Sequence, residues 1–115
     1  MQEYKMNIRD KYLNSIREHK KRHEYRLNNE ERQKMNINDF ILLTSNEVPS
    51  NQIKVVITKK TIFPNWQVAI LKNWREDFSD SSRPFNEVLK ELKTYYSDAD
   101  VKKYGIVMFD IGIVK

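Results

Sequence analysis

The stretch from Gly105 to Val114 constrains the fold more than any other, because it is almost continuously apolar and rich in β-branched residues. A strand with one face in water alternates apolar and polar residues, whereas a run without alternation needs cover on both faces. The chain therefore has to build a sheet around this segment. Phe40 to Leu43 reads as an apolar strand, Val48-Pro-Ser-Asn51 as a turn, and Gln52 to Ile62 as a second strand in which Ile53, Val55 and Ile57 alternate with Lys54, Val56 and Thr58. These two are expected to pair as a hairpin. The principal helix is expected from Pro84, since proline suits a first turn and Phe85, Val88, Leu89, Leu92 and Tyr96 form one apolar stripe.

Between these elements the signals are shorter. Tyr12, Leu13 and Ile16 predict an amphipathic helix from Arg9 to Lys20, and residues 22–27 a strand. Asn28-Asn29 reads as a turn or cap before a helical piece reaching about Met35. Pro64-Asn65 punctuates the chain ahead of a helix from Trp66 to Asn73. Residues 75–83 are polar and serine-rich, the best loop candidate, and are expected to be mobile. The expectation is an α+β fold in one domain, residues 1–115, built as a mixed, mostly antiparallel β-barrel with flanking helices.

Composition narrows the function. The net charge of +5 favours anionic partners, and the absence of cysteine excludes disulfides and thiolate metal sites. The N-terminus lacks the apolar run of a signal peptide and no segment is long enough to span a bilayer, so a cytoplasmic location without membrane contact is expected. His19 and His23 have the spacing of a two-histidine zinc site on a helix, but the helix is expected to end between them; no metal or cofactor is expected. The only glycines, Gly105 and Gly112, fall in the last strand, so there is no phosphate-cradling loop, and no serine stands in a nucleophile-elbow context. Trp66 and Trp74 are expected to pack rather than to stack on bases. Tyr104 is expected to bury its ring and turn its hydroxyl towards a cleft.

Charge gathers at residues 19–39, His-Lys-Lys-Arg-His-Glu-Tyr-Arg-Leu and onward to Asp39. In a strand, Glu24 and Arg26 share one face and His23, Tyr25 and Leu27 the other. Such alternation commonly makes only a solvated face. Cationic groups around one carboxylate also suit a ligand offering both acceptors and donors, such as a nucleotide.

The same stretch resembles the signature of the ASCH domain, a small module of the PUA-like superfamily: G-x-K-x-x-E-x-R-L, an acidic-basic turn, then I-x-x-G-D before a strand. Lys21, Glu24, Arg26 and Leu27 match, Glu31-Arg32 occupies the turn, and Ile37-Asn38-Asp39 stands where the second element ends. Tyr95-Tyr96-Ser97 and Lys103-Tyr104-Gly105 before a terminal strand extend the likeness. His19 and Asn38 stand where the pattern has glycine. Asparagine tolerates left-handed backbone. If the first glycine permits close ligand approach, an imidazole would narrow the site.

The resemblance implies a PUA-like fold and an RNA- or nucleotide-binding module with a basic cleft around the Lys21-Glu24-Arg26 strand. Lys21 would supply phosphate charge, Arg26 a planar fork, and Glu24 an acceptor for exocyclic amines or a ribose hydroxyl. Arg22 and Arg32 would extend the basic footprint. The alternative it implies is a small amidohydrolase acting on a modified nucleoside such as acetylated cytidine, through a lysine, a threonine and a glutamate. Lys21 matches that lysine, but Glu24 holds the threonine position and no Ser or Thr lies between Ser15 and Thr44. The hydroxyl nucleophile is missing, which favours binding over catalysis.

Overall fold

The computed structural model describes residues 1–78 and 82–115. Five strands, β1 (Glu3–Ile8), β2 (His23–Leu27), β3 (Phe40–Ser45), β4 (Gln52–Phe63) and β5 (Ile106–Ile113), form one sheet in the order β1-β3-β4-β5-β2. The helices are α1 (Asp10–Arg17), α2 (Glu30–Gln33), α3 (Trp66–Lys72), α4 (Phe85–Leu92) and α5 (Asp98–Tyr104), with a π-helical turn over Trp74–Phe78. This is the α+β class expected, a five-stranded sheet with flanking helices.

Two compact units share the chain, and β2, β4 and β5 each contribute residues to both. The first comprises residues 1–24, 34–60 and 109–115. In it β3 and β4 form the expected antiparallel hairpin, with Ile41 opposite Val55 and Leu43 opposite Ile53. These four side chains are all buried, so one face of the pair is core. On its other edge β3 pairs in parallel with β1, Met6 opposite Leu43. Strand β1 was not expected, although Tyr4, Met6 and Ile8 alternate with Glu3, Lys5 and Asn7 as a half-buried strand requires. Parallel neighbours need a crossover connection, and α1 begins it, with Leu13 and Ile16 buried.

The second unit comprises residues 25–33 and 61–108. Its core gathers Leu27, Phe63, Trp66, Ala69, Ile70, Val88, Val101, Ile106 and Met108. Helix α3 starts where Asn65 accepts the Val68 N–H at 3.0 Å, satisfying one of the amides a helix leaves unpaired at its start. The principal helix is shorter than expected. Helix α4 stops at Leu92 and turns follow, yet Tyr96 still stacks on Trp66 at 6.4 Å between ring centres. Helix α5 was missed despite two local signals: Ser97 accepts the Asp100 N–H at 3.1 Å, and Gly105 ends the helix at φ +78°.

Gly105 therefore caps α5 rather than opening the last strand. A Cβ there would lie 2.8 Å from the Phe63 carbonyl oxygen, so backbone proximity as well as φ requires glycine. Residues 75–78, expected as loop, belong to the π-helical turn, while 79–81 of that expected loop lie outside the described residues. As its apolar run demands, Ile106 to Phe109 of β5 are buried at successive positions.

Candidate functional site

In the first unit, α1 delivers the charged segment through a tight C-terminal cap. The His19 N–H donates to the Ile16 carbonyl at 3.0 Å and the Lys20 N–H to the Ser15 carbonyl at 2.8 Å, while His19 itself sits at φ +62°. This crossed pair of bonds around a left-handed residue is the Schellman arrangement, whose left-handed position favours glycine. The motif glycine is thus accounted for by the backbone, and the exposed imidazole of His19 does not need a ligand to explain the position. His19 and His23 share no helix, since α1 has ended before His23 enters β2.

The turn sets Lys21 at the entrance to β2, half-buried, with Nζ donating to the His23 carbonyl and lying 5.8 Å from the Tyr12 ring centre. Arg22 is exposed, and its carbonyl accepts the Ile111 N–H at 3.0 Å. His23 is buried with Nε2 3.5 Å from Asp110 Oδ2, an ion pair when the imidazole is protonated. Glu24 is only 6% exposed, so this carboxylate is less accessible than strand alternation suggests. Sequence reasoning overlooked the His23–Asp110 pair, because Asp110 lies far along the chain inside an apolar run.

The second glycine-like position is also a backbone requirement. Asn38 has φ +78°, and its N–H donates to the Ile57 carbonyl at 2.8 Å. The turn is closed by Asp39, whose two carboxylate oxygens accept the Gln2 N–H at 3.0 Å and the Asn36 N–H at 2.9 Å. Those two amide bonds hold the Asp39 carboxyl below its ordinary pKa, with a smaller contribution from nearby Lys60. Lys60 is itself lowered by partial burial, against the pull of Asp39. The aspartate of the motif thus has a structural account in fastening the start of β1.

In the second unit, Arg26 is half-buried in β2 and Arg32 half-buried in α2, where the Arg32 N–H donates to Asn29 Oδ1 at 3.1 Å. Tyr104 is partly buried against the apolar cluster, and Lys103 Nζ lies 5.0 Å from its ring centre. Tyr25 donates to Asp77, and its ring lies 5.5 Å from Phe78 and 6.4 Å from Trp66. Trp66 is 3% exposed and packs, as expected; its buried Nε1 has no hydrogen-bond acceptor among the described residues. Trp74 differs. It is half-buried and lines an open concavity with Leu71, Lys72, Asn73, Arg75, Glu76 and Phe85.

The ASCH domain profile matches residues 6–112, nearly the whole chain and all of the motif. The chain belongs to the ASCH domain family. This ASCH protein is similar in fold to the crystal structure of hypothetical protein PH0355, with a TM-score of 0.82 and 22% identity over 97% of this chain and 99% of that one. It is similar also to the solution structure of protein PF0455 from Pyrococcus furiosus, with a TM-score of 0.76 and 22% identity over 98% of each chain. No curated protein matches it significantly. No helix among the described residues of this ASCH protein is long and apolar enough to cross a membrane.

Proposed function

We propose that residues 1–115 act as one ASCH domain that binds RNA or a nucleotide through the Lys21-Glu24-Arg26 segment, with Arg22, Arg32 and Tyr104 contributing to the same ligand. The observation that carries this reading is that the family match spans a segment whose charged residues are mounted on a strand and a capped turn. Groups on rigid elements lose less freedom when they meet a ligand. Lys21 illustrates it, since its ammonium is already anchored by the His23 carbonyl. In this role Lys21 and Arg26 meet phosphate, and Glu24 accepts from a base amine or ribose hydroxyl.

The test is a salt series of anisotropy titrations with labelled RNA oligomers and with mononucleotides. Lys21→Ala and Arg26→Ala are expected each to weaken binding, with the melting temperature nearly unchanged, and each lost phosphate contact lowers the log–log salt slope by about 0.7. A wild-type protein with no salt-sensitive affinity for any RNA or nucleotide removes the proposal.

A further inference from the structure

Strand β5 carries one ionisable side chain, Asp110, in a run that is otherwise apolar or glycine. One of its oxygens, Oδ1, is buried and accepts no hydrogen bond among the described residues, while Oδ2 lies 3.5 Å from Nε2 of His23. The His23 side chain is 8% exposed and the Asp110 side chain 30%. A buried carboxylate oxygen without a donor costs stability, so a pair this incompletely satisfied is a poor fastening for two strands. Its consequence is electrical. Imidazole and carboxylate together carry one negative charge or none, according to whether His23 holds a proton, and histidine exchanges its proton between about pH 5 and 8.

Lys21 puts that charge beside the segment read as the binding site. Its Nζ donates to the His23 carbonyl, and the Asp110 carboxylate meets the imidazole of the same residue. Lysine and aspartate are thus one residue's span apart, comparable with the roughly 8 Å over which physiological salt screens charges. The surrounding elements bring the following groups. Thr58 of β4 does not titrate, and its hydroxyl donates to the Asp110 carbonyl at 3.2 Å. Lys60, further along β4, is drawn to Asp39. On β2, Glu24 follows His23 and is buried. From α1, the Tyr12 ring centre lies 5.8 Å from Lys21 Nζ, and His19, exposed in the α1 cap, is the chain's other histidine. A phosphate drawn to Lys21 is therefore opposed by Asp110 while His23 is neutral, and loses that opposition once His23 is protonated.

We infer that the His23–Asp110 pair is a pH switch on the Lys21 end of the binding segment, strengthening its hold on nucleic-acid phosphate as pH falls. The inference rests on the RNA reading of that segment and adds its regulation. The probe is ten-nucleotide oligouridylate carrying a pH-insensitive dye, because neither uridine nor a phosphodiester titrates where histidine does. Anisotropy titrations at constant ionic strength are expected to show affinity rising about 2- to 4-fold from pH 8 to pH 5.5, the effect of one charge at that range in a water-like dielectric. His19→Gln should keep the rise. Asp110→Asn should bind at pH 8 about as tightly as the wild type does at pH 5.5, with a flattened profile, since a buried imidazole without its carboxylate stays neutral. His23→Gln should hold the weaker affinity throughout.

A second measurement needs no RNA. In long-range proton–nitrogen spectra of the free wild-type protein the His23 imidazole should titrate within the same window, and Asp110→Asn should move its midpoint lower. A His23 imidazole that keeps one protonation state from pH 5.5 to 8 overturns the inference, whether or not the variants fold. A wild-type affinity that is flat with pH, or a rise that disappears in His19→Gln, also overturns it; if Lys21→Ala still abolishes binding, the RNA reading stands. Absence of any RNA affinity removes both.

Discussion

Replacing His19 by glycine separates a backbone role from a ligand role at the first glycine position of the ASCH motif. His19 is the left-handed residue of the α1 cap, at φ +62°, and its side chain is exposed. A non-glycine residue in that region costs about 1–2 kcal/mol, towards the lower end for histidine, which visits it more readily than most. Glycine relieves that cost but loses about 0.5–1 kcal/mol more backbone entropy on folding. The net expectation for His19→Gly is a stabilisation of up to about 1 kcal/mol, or a melting temperature raised by up to roughly 5 °C for a domain of this size. Urea unfolding followed by circular dichroism is the direct assay: the midpoint should rise with the slope unchanged. RNA affinity should remain within about twofold, since the imidazole is assigned no contact. A lowered midpoint would refute the strain argument. An affinity raised tenfold at constant midpoint would show instead that the glycine serves ligand approach.

Gly105→Ala tests the other strained turn; with φ +78° and a new Cβ 2.8 Å from the Phe63 carbonyl oxygen, a loss of about 2 kcal/mol or more is expected in the same urea assay, and a loss below about 0.5 would contradict the close approach. Asp39→Asn concerns pH. The folded carboxyl lies below its usual value of 3.8, so its contribution is present above the unfolded value and is lost as pH falls through the folded one. The variant should therefore melt well below wild type at pH 7, from the loss of two charge-assisted amide bonds, with the gap closing at a pH well below 3.8. An equal gap at both pH values would mean that the carboxylate charge is not what holds the turn.

Much of the fold is legible locally because it rests on periodicity. The buried run of β5, the alternation of β4 and the Asn65 cap of α3 are each decided by residues near in sequence, and each is where the pattern puts it. Strand β1 and helix α5 carry local signals as well, alternation in the one and Ser97 with Gly105 in the other, but both are short and rich in charged residues. The early end of α4 is different. Tyr96 continues the apolar stripe, but the stripe does not require it to remain helical, since stacking on Trp66 satisfies the ring from a turn.

For the functional residues, sequence alone determined chemical type and strand order: a lysine, a glutamate and an arginine along β2, and two positions where glycine is usual. Tertiary structure decided accessibility and partnership. It buries Glu24, sets His23 against Asp110, assigns Asp39 to two backbone amides, and places Trp66 inside the apolar cluster with Trp74 half-buried against it. The physical reason is range. Backbone propensity and alternation act over a few residues, whereas burial and charge pairing depend on segments dozens of residues away, which no local pattern encodes.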